Sequence, residues 1–270
     1  MSAPREVAAR DGTRLRYLSD GAAAEGRPAM LLQHGLGFRA EAWDSWLEPL
    51  LQAGFRVIRP DWRGHGASDP MPAGTAWSTD GLLDDLEAIL AAEDVGNCHL
   101  VGESWGGATV LALAARLGSR ARSVTTLSTP YDGRRIAAAR DFSRQIREQG
   151  LDAWSAGVAA NRANGRPVLQ AWADAAQRAC DAASLIGLCD YIVSETIEPR
   201  LASVAAPALM MAPLGSHFVK PAMARELAER LPLGEIAWFP GHNHGLVLSG
   251  GPLAAATLLN FLARHGGMPA

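Results

Sequence analysis

Short apolar runs alternate with helical patterns along the chain, and this alternation constrains the fold more than any other feature. Fully apolar runs such as AMLLQ at Ala29–Gln33 are typical of strands buried on both faces of a sheet. Further strands are predicted at 55–62, 97–102 and 123–128, and helices between them at 41–52, 79–93 and 105–117. Strands that alternate with helices form parallel sheets. The predicted fold class is therefore α/β, with a mostly parallel, doubly wound sheet.

The alternation is interrupted once. Residues 131–202 carry only helical patterns, at 136–149, 151–160, 168–183 and 185–194. Strand and helix patterns return after Pro207, with strands at 208–212 and 235–239. We therefore expect a core domain formed by 1–130 and 203–270, with 131–202 inserted as a helical cap. Such insertions commonly cover the carboxyl ends of the strands, where active sites lie.

Composition excludes several classes of function. The 270 residues carry 25 basic and 28 acidic side chains, a net charge of −3, which argues against nucleic-acid binding. The sequence shows no membrane-length apolar run and no secretory signal. Its three cysteines lack metal-ligand spacing. We expect a cytoplasmic protein that acts on a small molecule without cofactor or metal, binds neither nucleic acid nor membrane, and is compatible with a homo-oligomer.

The motif that carries chemistry is Gly102-Glu103-Ser104-Trp105-Gly106, a G-x-S-x-G between a predicted strand and a predicted helix. This context exposes a serine hydroxyl on a sharp strained turn, near the positive end of the helix. Ser104 is therefore the predicted nucleophile. Strand alternation points the neighbouring Glu103 away from Ser104, so Glu103 is expected to be structural.

An oxyanion site is predicted at His34-Gly35-Leu36-Gly37, which follows an earlier buried strand. The backbone N–H groups of Leu36 and Trp105 would form the donor pair. Expected pocket residues are His34, Gly35, Phe38, Trp154 and Trp172.

The general base must be a histidine on a loop after a late strand. His242 and His244 both meet this condition, because they follow the strand at 235–239 and precede the last helix. The residues alone leave both histidines open.

HGLGF, PDWRGHGASD, GESWGG and PGHNHG together resemble the α/β-hydrolase superfamily. Within it, the chain is similar to the branch of 3-oxoadipate enol-lactonases and esterases. The resemblance implies an α/β-hydrolase fold with a helical cap. It also selects His244 as the catalytic histidine, because the family places Pro-Gly and two residues before it.

The chain departs from the family at the catalytic acid. The resemblance places an Asp shortly after the strand at 208–212, where this sequence has Ser216. Three alternatives follow: Asp132 supplies the acid, a cap residue such as Asp190 supplies it, or the enzyme uses a Ser–His dyad.

The sequence therefore predicts a cofactor-independent serine hydrolase that cleaves an ester or lactone through an acyl-enzyme. Two alternatives stay open. One is a C–C bond hydrolase of a β-diketone-like substrate, which would use the same Ser and His. The other is a non-catalytic protein that retains a small-molecule pocket.

Overall fold

A computed structural model describes residues 3–21 and 27–269. An eight-stranded sheet runs through its centre in the order β1-β2-β4-β3-β5-β6-β7-β8. The strands are β1 (Arg5–Ala8), β2 (Arg14–Asp20), β3 (Ala29–Gln33), β4 (Arg56–Pro60), β5 (Cys98–Glu103), β6 (Ala121–Leu127), β7 (Ala208–Pro213) and β8 (Gly234–Phe239). β2 pairs antiparallel with β1 and β4, and the other neighbours are parallel. The predicted fold class is thus confirmed.

Helices connect the strands and cover both faces of the sheet. They are α1 (Asp44–Gln52), α2 (Thr79–Ala92), α3 (Trp105–Leu117), α4 (Ala137–Ala163), α5 (Pro167–Arg178), α6 (Ala182–Ile192), α7 (Glu198–Leu201), α8 (Pro221–Glu229), α9 (Leu246–Ser249) and α10 (Gly251–Arg264). Short 3₁₀ turns lie at Ala40–Trp43, Gly118–Arg120 and Gly133–Arg135. Within the described part of the chain, no helix is long and apolar enough to cross a membrane.

The apolar core has two parts, one on each side of the sheet. Consecutive residues of a strand face opposite sides, and along β3 Met30 and Leu32 belong to one cluster whereas Leu31 belongs to the other. β5 divides in the same way at Leu100 and Val101. This two-sided burial is the reason why the central strands are apolar throughout.

Four helices, α4 to α7, lie between β6 and β7. α4 is broken at Gly150, whose φ of 83° and ψ of 175° lie outside the helical region. The break falls between the two helices that the sequence predicts at 136–149 and 151–160. An isolated antiparallel β-bridge joins Asp132 to Thr196, so the chain enters and leaves this helical segment at positions that lie next to each other.

Candidate active site

Ser104 occupies a strained turn between β5 and α3. Its φ of 54° and ψ of −126° lie in a region that non-glycine residues rarely adopt. The turn requires glycine on both sides. A Cβ on Gly102 would lie 2.4 Å from the Gly106 carbonyl oxygen, and a Cβ on Gly106 would lie 2.4 Å from the His34 carbonyl oxygen. The spacing of the motif therefore follows from the close passage of three backbone segments.

A chain of hydrogen bonds joins Ser104, His244 and Ser216. The His244 Nε2 lies 3.1 Å from the Ser104 Oγ, and the His244 Nδ1 lies 3.1 Å from the Ser216 Oγ. The Val219 N–H also donates to the Ser216 Oγ, at 3.1 Å. A hydroxyl oxygen has two lone pairs, so Ser216 can accept from both Val219 and Nδ1–H. That arrangement leaves Nε2 free to accept the Ser104 proton.

His244, and not His242, approaches the serine. His242 instead places its Nδ1 2.9 Å from the Ser249 Oγ. His244 is 3% exposed, and burial, together with the positive charge of Arg162, lowers its pKa to about 3. The imidazole is therefore neutral near pH 7, which is the form that a general base requires.

Neither candidate aspartate contacts His244. Asp132 accepts hydrogen bonds from the Arg134 side chain at 2.7 and 2.9 Å and from the Arg134 N–H, so it caps a local turn. Asp190 forms an ion pair with Arg147 on the surface. Both assignments are corrected by the structure, because Ser216 takes the position at Nδ1.

Glu103 places its carboxylate near His244, and the expectation that it points away from Ser104 is wrong. Its Oε1 lies 3.9 Å from the His244 Nε2, and its side chain is 1% exposed. The carboxyl packs against Gly35, where a Cβ would come within 2.0 Å of Oε2. Strand alternation does not hold across the turn at Ser104, and this explains the error. Burial raises the pKa of Glu103 to about 7. The positive charge of Arg162 and the hydrogen bond from the Gly35 N–H partly counteract this rise.

Leu36 and Trp105, the two predicted oxyanion donors, both line the pocket that contains Ser104. Trp105 is the first residue of α3, where N–H groups have no partner within the helix. No backbone carbonyl of the described residues accepts from the Leu36 N–H. Both residues line the same pocket as Ser104 and His244, so both amides are available to a bound group.

The pocket that contains Ser104 is small, with a cavity volume of about 40 Å³, and has mostly apolar walls. Its lining residues are Leu36, Ser104, Trp105, Pro130, Ile136, Ala139, Phe142, Arg162, Ile192, Phe218, Val219 and His244. Within residues 3–21 and 27–269, no group of three side chains is arranged to hold a metal ion.

The five predicted pocket residues are not among those that line this pocket. His34 bonds the Gly35 carbonyl through Nδ1 and the Trp62 N–H through Nε2. Gly35 packs against the carboxyl group of Glu103. Phe38 makes an edge-to-face contact with Trp172, and Phe142 makes one with Trp154. The predicted pocket is corrected accordingly.

Arg162 is a site residue that sequence reasoning missed. It lies near the end of α4, is 3% exposed, and lines the pocket. Its Nη1 donates to the Leu36 carbonyl, and its guanidinium stacks 4.8 Å from the Phe38 ring centroid. Nothing in the local sequence separates it from the many surface arginines, so the sequence offers no signal for it.

The sequence profile of the alpha/beta hydrolase fold family matches residues 28–164. The chain belongs to this family. It is similar to a putative carbamate hydrolase, RutD, of Variovorax paradoxus, with 29% identity over 90% of this chain and 95% of the relative. Over 46% of this chain it is 33% identical to bifunctional epoxide hydrolase 2 of Sus scrofa, but it spans only 22% of that protein.

Solved structures show the same fold over almost the whole chain. The enol-lactonase of Burkholderia xenovorans LB400 superposes with a TM-score of 0.88 at 24% identity, covering 96% of this chain and 100% of the enol-lactonase. A thermophilic esterase of Thermogutta terrifontis gives 0.85 at 17% identity, covering 98% and 99% of the two chains. At these identities the likeness establishes the fold alone.

Proposed function

We propose that this protein is a serine hydrolase that cleaves an ester or lactone bond of a small organic substrate through an acyl-enzyme. The observation that carries the proposal is the chain from Ser104 to His244 to Ser216, with 3.1 Å at each step. Family membership and the hydrolase relatives support hydrolytic chemistry. The serine at the turn gives that chemistry a hydroxyl nucleophile.

Acylation begins when the Ser104 oxygen attacks the substrate carbonyl. His244 Nε2 takes the serine proton as the new C–O bond forms. The negative charge that develops on the carbonyl oxygen is stabilised by the N–H groups of Leu36 and Trp105, each donor contributing about 3–4 kcal/mol. His244 then returns the proton to the leaving oxygen as the old C–O bond breaks.

Deacylation repeats these steps with water. His244 removes a proton from water, the hydroxide attacks the acyl carbon, and Ser104 leaves with the proton from His244. The apolar walls at Phe142, Ile192 and Phe218 would receive the hydrocarbon part of the acyl group.

Ser104→Ala tests the nucleophile. We expect turnover of p-nitrophenyl butyrate to fall at least about 1,000-fold, and a fluorophosphonate to label the wild type at Ser104 but not the variant. Ser128→Ala, which removes another buried serine hydroxyl, is the matched control and should retain activity. Full activity in the Ser104 variant would reject the nucleophile, and an unreactive wild type would favour a non-catalytic binding protein.

Incubation with a β-diketone separates the two bond types. A C–C hydrolase would use the same serine and histidine but release a carboxylate and a ketone, which mass spectrometry of the products identifies. No contact in the site favours that reaction over ester cleavage, so ester or lactone hydrolysis is the function that we propose.

A further inference from the structure

A buried carboxylate lies beside the catalytic histidine in a site that lacks the usual aspartate. Ser216 offers the His244 Nδ1 only a neutral hydroxyl. On the other side of the ring, the Glu103 Oε1 is 3.9 Å from Nε2. The imidazolium formed during acylation therefore has a carboxylate on its Nε2 side in place of one on its Nδ1 side.

The environment of Glu103 suits an electrostatic role better than a structural one. Glu103 is 1% exposed, and its Oε2 has no hydrogen-bond partner among the described residues. No arginine or lysine of the described chain lies within 4 Å of its carboxyl, and Arg162 acts on it only at longer range. A buried carboxylate without an ion-pair partner is unfavourable for folding, and it gains a counter-charge when His244 is protonated.

We propose that Glu103 is a positioning residue that stabilises the His244 imidazolium in place of the missing aspartate. The inference rests on the proposed function. The proton of Ser104 moves to Nε2 as the Oγ–C bond forms, and it leaves Nε2 for the departing oxygen as the C–O bond breaks. In its ionised form, which is the active one, Glu103 neither accepts nor donates that proton.

A double-mutant cycle with Ser216 tests this role. Glu103→Gln keeps the size of the side chain and removes its charge, so kcat for p-nitrophenyl butyrate should fall roughly 10- to 100-fold. In a Ser216→Asp background, where a carboxylate reaches Nδ1, the same change should cost less than about threefold, because the two carboxylates serve one cation. Glu93→Gln, at a buried carboxylate paired with Arg5, is the control and should leave kcat unchanged.

The pH profile provides a second readout. The groups that face Glu103 are His244 and, at longer range, Arg162. The kcat/KM of the wild type should rise as pH increases through about 7, where Glu103 loses its proton. Glu103→Gln should lose this rise, whereas Glu103→Asp, which retains a carboxylate, should keep it.

The possible results are distinct. Equal losses from Glu103→Gln in both backgrounds, or an unchanged profile, would mean that Glu103 only supports the Gly35 turn and would overturn the inference. If Glu103→Gln does not fold, a Glu103→Asp variant without the rise would overturn it equally. A wild type that hydrolyses no ester and is not labelled at Ser104 would reject the proposed function and this inference together. Normal wild-type turnover with an unaffected Glu103→Gln would reject the inference alone.

Discussion

At the scale of single residues, the site is defined by one hydroxyl in place of a carboxylate. Ser216 accepts from Val219 and meets the His244 Nδ1, as a triad acid would. It can hold the ring in the tautomer that makes Nε2 a base. It carries no charge, however, so it stabilises the imidazolium far less than an aspartate does.

Ser216→Asp should therefore raise kcat for an ester substrate roughly 10-fold or more, since loss of a triad aspartate can cost about 10⁴ in rate. The Val219 N–H is already placed to donate to the new carboxylate. Steady-state kinetics measures the effect, and thermal unfolding shows whether the variant folds normally.

Ser216→Asn is the matched control, because it adds a similar volume without charge and should show no increase. A folded Ser216→Asp variant with the wild-type kcat would contradict the interpretation of Ser216 as a substituted acid.

At the scale of elements, α4 brings distant parts of the site together. Its end places Arg162 against Leu36, and the Arg162 carbonyl packs on Gly245, where a Cβ would come within 1.8 Å. Gly245 directly follows His244. The position of α4 therefore affects both the loop that carries Leu36 and the loop that carries His244.

Two glycines of α4 should respond oppositely to alanine. Gly150 has a φ of 83° and open space around it, so Gly150→Ala adds backbone strain alone and should lower the free energy of unfolding by about 1–3 kcal/mol. Gly157 lies in regular helix, also with open space, so Gly157→Ala should raise it by about 0.5–1 kcal/mol.

Urea denaturation of the two variants and the wild type measures both changes. If Gly150→Ala were as stable as Gly157→Ala, the break in α4 would not be a property of the folded protein.

At the scale of the whole molecule, stability is coupled to protonation of the buried site. Folding raises the pKa of Glu103 from 4.5 to about 7. The folded state therefore binds more protons than the unfolded chain within that window, and the contribution of Glu103 to the free energy of unfolding decreases as pH rises through it. His244, whose pKa is lowered to about 3 from 6.5, has the opposite effect as pH rises from about 3 to 6.5.

Glu103→Gln separates these effects, because it removes the glutamate and keeps His244. The variant should gain stability relative to the wild type as pH rises from 4.5 to 7, by up to about 3 kcal/mol, with no further gain above that. Urea denaturation on either side of the window measures the difference. A constant difference across it would show that Glu103 titrates normally in the folded protein.

The features that depend on local contacts could be predicted from the sequence. Two-sided burial explains the apolar strands, and the close approach of Gly102 and Gly106 to neighbouring backbone explains the G-x-S-x-G turn. These constraints act on residues that are near one another in the chain or at fixed positions in a strand, so they leave a pattern. The resemblance to a known family added the choice of His244 and the absence of an aspartate at Ser216.

Only the tertiary structure decided which side chains surround the reacting atoms. His244 lies 140 positions along the chain from Ser104 and 28 positions from Ser216. Arg162 donates a hydrogen bond to Leu36, which is 126 positions away. Asp190 of α6 has Arg147 of α4 as its partner, and Glu103, at the end of β5, lies beside His244. Such contacts depend on how separate elements pack, and no spacing along the chain encodes them.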